Sequence, residues 1–468
     1  MANRFWLPGL EVRVFRARIG STAAEICRPT MGHWHRLFFR HTVWAILVGA
    51  LFFSRAAGAD RVTAQDKEAA TRRFVSVAQS AAAEVTGSDS AALQRAMDLL
   101  RPGDVLVIGP CTYRMDNSLF VPSGVTVRGT KGLTVLRKSA DVESALIEDG
   151  DYGETRLIVA EPGKFRVGMG VAVADDLLRS DLDVSVTTVA SIEGNTLHVS
   201  PMLLRDYNAE RHHAWIRNSF PVLCAINAEK VLLEDLIVDG NKAENAFLDG
   251  CRGGAIYLYP SKWVTIRNCV ARGYNGDGIL FQITEAIQVL NSEASGNTSH
   301  GLHPGAGSLR PLVRDCTFAH NVRVGLFLCC RVRDGVFESK AIEENGERGI
   351  SIGHKDTDNR FVENSVTRNG VAGVFFRQET FKNSGHRNIS RANTVTDNGT
   401  AEKGYGFYIA PYVEGIELHA NRIADTRPAS ARTQRYGIYR TAGANAVQLT
   451  GNQMSGHVAD GYAAPGRP

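Results

Sequence analysis

From residue 254 to 440 the chain repeats one pattern at a nearly fixed step. Glycines open the units at 278, 301, 325, 349 and 373, giving steps of 23, 24, 24 and 24 residues. Apolar residues alternate behind each glycine: Ile279 and Phe281, Leu302 and Pro304, Leu326 and Leu328, Ile350 and Ile352, Val374 and Phe376. An asparagine stands four residues before most of these glycines, at Asn297, Asn321, Asn345 and Asn369. A period in this range marks stacked units, none of which can bury a core alone. Period-two alternation selects strands over helices. The expected fold is therefore all-β, a parallel β-helix solenoid with one coil per repeat.

Successive side chains of a strand point to opposite faces. The apolar positions one and three after each glycine should face inward. Positions two and four then face outward: Leu280 and Gln282, His303 and Gly305, Phe327 and Cys329, Ser351 and Gly353, Phe375 and Arg377. A second apolar strand follows in each unit, as in Val264-Thr265-Ile266 and Ile287-Gln288-Val289. The repeat continues through Gly406 and Gly437, with insertions near 380–388 and 400–404 stretching the steps to 33 and 31. The asparagines read as a structural ladder, because a stacked amide can bond the next amide and satisfy turn backbone. A second series, Asn268, Asn291, Asn364 and Asn393, reads the same way.

The formal charge of +4 misleads. Residues 1–59 carry eight basic and two acidic residues, leaving 45 basic and 47 acidic in the rest. That near-neutral body offers no basic field for nucleic acid. Within 1–59, Arg36 and Arg40 precede an apolar run at 42–53, and Ala57-Gly58-Ala59 follows it. This is the order of a secretory signal, too short to favour a membrane span that persists after cleavage. Met31 is an alternative start. The expected protein is exported, periplasmic or secreted. Seven cysteines remain beyond Cys27; the odd count leaves one thiol unpaired in a monomer, and most read as small buried residues.

Ahead of the repeat, residues 60–87 read as a linker or short helix. Residues 88–100 read as an amphipathic helix with Ala92, Leu93, Ala96, Leu99 and Leu100 on one side. Such a helix covers the open end of a solenoid. The segment "SAALQRAMDLLRPGDVLVIGPCTYRMDNSLFVPSGVTVRGT" resembles the opening of the pectate-lyase-like β-helix superfamily: a capping helix, a "G-x-Y" strand, then a "P-S-G-V-T-V-x-G" strand. The coils from 254 to 440 resemble the right-handed β-helix repeat of carbohydrate-active proteins, and in texture the alginate C5-epimerases and polysaccharide lyases. The resemblance implies a right-handed single-stranded parallel β-helix with an N-terminal capping helix. The expected organisation is cap and first coil at 88–140, a β-rich insertion or irregular coils at 141–221, the main β-helix at 222–455 and a tail at 456–468.

Two places concentrate chemistry. Around the turn after the glycine strand, residues some 24 apart become neighbours on coils about 4.8 Å apart. This groups His303, Arg331, His354, Lys355, Arg377 and Glu379. Such a cluster suits an acidic polysaccharide. Removing the C5 proton of a uronate requires its carboxylate to be neutralised, by Arg331 or Lys355, and a base, His354 or His303. Loss of the 4-linked sugar then gives a lyase; return of a proton on the other face gives a C5-epimerase. In place of the "D-P-H-[DE]" stretch associated with alginate epimerases stands "H-G-L-H-P-G-A-G-S", which matches it only at His303 and Pro304. Arg377, Glu379 and Asp356 are expected to bind substrate. The second place is the loop 238–254, where Asp239, Glu244 and Asp249 are oxygen donors suited to calcium. Arg252, with Tyr257 and Tyr259 nearby, is placed to hold sugar.

Two other functions compete. A glycoside hydrolase needs two carboxyl groups facing across the bond, for which Asp356 and Glu379 offer themselves. A non-catalytic surface protein would recognise glycan without turnover. The oligomeric state is open.

Overall fold

The computed structural model describes residues 72–177 and 183–464. The apolar run at 42–53 lies outside them, as do residues 60–71 of the 60–87 segment. The chain winds as a right-handed parallel β-helix whose three walls are sheets of 13, 11 and 12 strands. Each strand pairs in parallel with its counterpart on the next coil, as in Val289↔Val313, Val313↔Phe337 and Phe337↔Phe361. These interior positions stack into one core along the axis; the rings of Phe337 and Phe361 lie 5.1 Å apart.

The capping helix spans Ser90–Met97, with Asp89 accepting from the Ala92 N–H at its start. It buries Ala92, Leu93, Ala96 and Met97. It ends sooner than the apolar pattern predicts, and Leu99 is exposed. The chain tightens there: the Leu99 and Leu100 N–H groups donate to the Ala96 and Met97 carbonyls, three residues back, in place of the α-helical bond. Where the sequence suggests a linker or short helix, Phe74–Ala78 is a strand paired with Val105–Ile108, and Val85–Thr86 pairs with it in turn. The tail is also shorter than expected, because Tyr462–Ala463 adds a last strand to the third wall.

The chain leaves the solenoid after Thr134–Lys138 and rejoins it at Leu223–Glu229. Between them lies a six-stranded sheet, paired antiparallel, built from residues 143–217. It has its own core, including Leu157, Val171, Val199 and Ile216.

The asparagine ladder runs Asn297, Asn321, Asn345, Asn369, Asn398, then Gln434, each side-chain amide donating to the next at 2.9–3.2 Å. The second series is corrected. Asn364 and Asn393 do join a buried ladder with Asn421 and Asn452. Asn268 and Asn291 stand one position earlier in the turn, with φ of 53° and 46°, in the left-handed conformation asparagine tolerates. Their place in the ladder is taken by Cys269 and Ser292. Cys224, Cys269 and Cys316 are buried, but Cys111, Cys329 and Cys330 are only partly so, and all six are free thiols.

Candidate functional site

Repeat glycines fix the direction of the third wall's side chains. A Cβ on Gly278 would come within 2.6 Å of the Asn297 amide and 2.8 Å of the Gly301 carbonyl, both on the inner side. The glycine and the residue after it therefore both face inward. Strict alternation fails at this point, and the residue before each glycine faces out beside the residue two after it. This brings together two outward columns. One holds Asp277, His300, Val324, Arg348, Ala372, Tyr405 and Tyr436; the other holds Tyr257, Leu280, His303, Phe327, Ser351, Phe375, Tyr408 and Tyr439.

Near the N-terminal end of these columns His303 Nδ1 lies 2.6 Å from Asp277 Oδ2. Phe327 stacks on His300 at 4.2 Å and meets His303 edge-on at 5.0 Å. The Arg377 guanidinium sits over the other flank of Phe327, 4.6 Å from the ring centre. It reaches there by lying across Gly353, donating to Ser351 Oγ at 2.9 Å and to the Leu328 carbonyl at 2.8 Å. His303, expected on an outward face, is outward but only 5% exposed. The loop at 245–253 covers it: Gly250 lies against the Asp277–His303 pair, and its carbonyl accepts from Gln282 at 3.3 Å.

Electrostatics separate the two histidines. Burial opposes charge on His303, but the adjoining Asp277 carboxylate outweighs it and lifts the imidazole to about 10. Burial alone would raise Asp277; the His303 imidazolium and the hydrogen bonds from His303 and the His300 backbone N–H instead hold it at about 2. They form an ion pair. His300 is driven by burial to about 3, against the pull of Asp277 and with Arg323 and Arg377 adding to the depression. It is neutral. His300 Nδ1 is buried with no hydrogen-bond partner among the described residues. His303 Nε2 lies toward the Cys329 thiol but makes no hydrogen bond of ordinary geometry among the described residues. Orphaned polar atoms this deep are uncommon and ask for an explanation.

The other expected residues fall into three groups. Arg331, His354 and Lys355 occupy the corner beyond the Arg377 strand, all with left-handed backbone. The Arg331 N–H donates to the His354 carbonyl at 2.9 Å, so they do share one side, next to the cluster rather than in it. His354 is half-buried, 3.8 Å from Glu379. Asp356, expected to bind substrate or to pair with Glu379 across a cleft, is fully buried. It accepts from the Val332 and Gly353 N–H groups at 3.0 Å each and lies 3.4 Å from Arg377. Burial pushes its carboxyl up to about 7, with Arg377 opposing. It orients Arg377 and, buried on these partners, does not face Glu379 across a cleft.

Arg252, Tyr257 and Tyr259 line one cavity of about 230 Å³, walled by Phe120, Phe220 and Ile226 of the solenoid side and Val186 and Leu204 of the inserted sheet. The calcium expectation meets a different arrangement. Asp239 lies 3.3 Å from both Arg137 and Arg272, Glu244 accepts from the Asn241 amide at 2.6 Å, and Asp249 accepts from the Cys251 N–H at 2.9 Å. Among the described residues no three His, Cys, Asp or Glu side chains converge as a metal site.

Sequence reasoning missed Asp277, His300 and Arg348. The signal was present: the residue just before each repeat glycine carries much of the chemistry. Strict alternation counted from the glycine turned that column inward.

A family model described as the right handed beta helix region matches residues 234–384. The chain is a right-handed parallel β-helix protein. Among solved structures, this β-helix protein resembles the A-modules of two Azotobacter vinelandii mannuronan C-5 epimerases. For AlgE6 the TM-score is 0.52 at 16% identity, covering 80% of this chain and 91% of that one. For AlgE4 it is 0.51 at 15% identity, covering 80% and 94%. A polygalacturonase from Erwinia carotovora ssp. carotovora superposes with a TM-score of 0.49 at 10% identity, covering 84% and 95%. No curated protein sequence matches the chain. At these identities the likeness is one of fold.

Proposed function

We propose that this β-helix protein acts on an acidic, uronate-containing polysaccharide by abstracting the C5 proton, as a lyase or a C5-epimerase. One observation carries the proposal: a neutral histidine, an imidazolium and a guanidinium surround a single exposed-face ring, Phe327, with two buried imidazole nitrogens unpartnered among the described residues. C5 lies next to the uronate carboxylate, and charge spreads onto that carboxylate as the proton leaves. Arg377 and His303 supply fixed positive charge, which acts strongly in a site held out of water. His300 is the base, being uncharged; an approaching carboxylate raises its affinity for a proton toward the useful range. Arg331, Lys355, His354 and Glu379 form the adjoining wall, and Arg252, Tyr257 and Tyr259 hold the neighbouring sugar. Leaving-group expulsion or reprotonation decides between the two outcomes.

A hydrolase is less well supported, because Asp277 and Asp356 are both committed to cations and N–H groups within the protein. The proposal goes with export, given the apolar run at 42–53. Among the described residues no helix is long and apolar enough to cross a membrane.

The test is incubation of the purified protein with a panel of uronans and neutral glycans. Ultraviolet absorbance of an unsaturated uronate marks a lyase, and changed uronate stereochemistry by proton NMR marks an epimerase. New reducing ends from a neutral glycan, with every uronan unchanged, would overturn the proposal.

A further inference from the structure

The two outward columns do not end at the histidines. On the last three full coils they hold five aromatic side chains, Phe375, Tyr405, Tyr408, Tyr436 and Tyr439. Phe375 stacks on Tyr408 at 4.6 Å, Tyr408 on Tyr439 at 5.7 Å, and Tyr405 on Tyr436 at 5.9 Å, with interplanar angles of 10–12°. All five are half-buried. The same coils carry no such series on their other walls. Outward positions there are Arg391, Glu417 and His419 on one, and Thr394, Arg422 and Gln453 on the other. Strand propensity would favour aromatics on all three walls alike. Their confinement to the wall that bears His300 and His303 calls for a cause specific to that wall.

We infer that these aromatics line a contact track for a long polysaccharide lying along the solenoid axis, continuous with the histidine cluster; this rests on the function proposed above. Stacked on one another from coil to coil, the rings turn their edges and the tyrosine hydroxyls outward, which suits the C–H groups and hydroxyl rim of a pyranose. Coils follow one another about every 4.8 Å, so a chain lying lengthwise passes each ring in turn. Arg348, with its guanidinium 4.4 Å over the Phe375 ring, puts a cation beside the track where a uronate carboxylate would pass. From His303 to Tyr439 is five coils, roughly 24 Å. A short oligosaccharide that fills the histidine cluster therefore leaves the far tyrosines empty, whereas a polymer covers both.

The experiment compares wild type with the double variant Tyr408→Ala, Tyr439→Ala on polymannuronate or polygalacturonate and on the matching tetrasaccharide. The expected result is a polymer KM raised about tenfold, with kcat and the tetrasaccharide parameters unchanged. Equal KM for the polymer in both proteins overturns the track. So does a parallel loss on polymer and tetrasaccharide accompanied by a lowered Tm, which would mark the rings as structural. If wild type turns over no uronan, the proposed chemistry fails, and the track is judged by calorimetric binding to the same uronans and a neutral β-glucan. Weakened binding of any one of them by the double variant supports the track. Unchanged binding, or no binding by wild type, overturns it.

Discussion

The guanidinium of Arg377 lies across the backbone of Gly353, where a Cβ would stand 2.6 Å from its Nε. A glycine on one coil thus lets an arginine on the next turn back toward Phe327. Asp356, below both, accepts from the Gly353 N–H and faces Arg377, fixing the arrangement.

Gly353→Ala is accordingly expected to lower kcat/KM on uronan at least about tenfold, by displacing the guanidinium from a developing charge. Folding should persist. Arg377→Lys should lose as much, because a point charge cannot bridge Ser351 and the Leu328 carbonyl together. Steady-state kinetics with thermal melts on both variants check this; unchanged kcat/KM would remove Arg377 from the site.

The Asp277–His303 pair makes stability depend on pH with a definite sign. Asp277 is held at about 2, below its ordinary 3.8, so its contribution is present above 3.8 and is lost as pH falls through 2. His303 is lifted to about 10 from 6.5, so its contribution is complete below 6.5 and is lost as pH rises through 10. The Tm difference between wild type and His303→Gln should be largest between pH 4 and 6.5 and shrink toward pH 10. A difference that stays constant across that range would show that the pair is not ionised.

His300→Gln should reduce turnover by about a hundredfold or more, the usual contribution of a general base. His354→Ala, on the half-exposed corner, should cost less. Single-turnover kinetics on the two variants rank them, and the reverse order would move the base to the corner.

Asn345→Ala should destabilise the middle of the solenoid. Asn345 accepts from the N–H and the amide of Asn321 and donates to the Phe318 carbonyl and to Asn369. Each buried group left unpaired costs about 1–3 kcal/mol. Denaturant unfolding measures the loss, and a change within error would mean that the ladder is replaceable.

The sequence by itself determined the solenoid. Spacing from Gly278 to Gly373, with alternation behind each glycine, admits only stacked strands, and the Asn297 to Asn369 series marks one corner. It also placed His303, Phe327 and Arg377 on the outward face, because side-chain direction along a regular strand follows from position alone. Tertiary structure decided the rest. Whether Asp277, His300 and Arg348 face out depends on how closely Gly278 packs against the Asn297 amide on the neighbouring coil, a contact that no local rule contains. Loop 245–253 decides that His303 is covered, and the coil-to-coil reach of Arg377 over Gly353 decides which cation meets Phe327. Periodicity reports direction within a strand; burial and charge depend on what another coil lays over it.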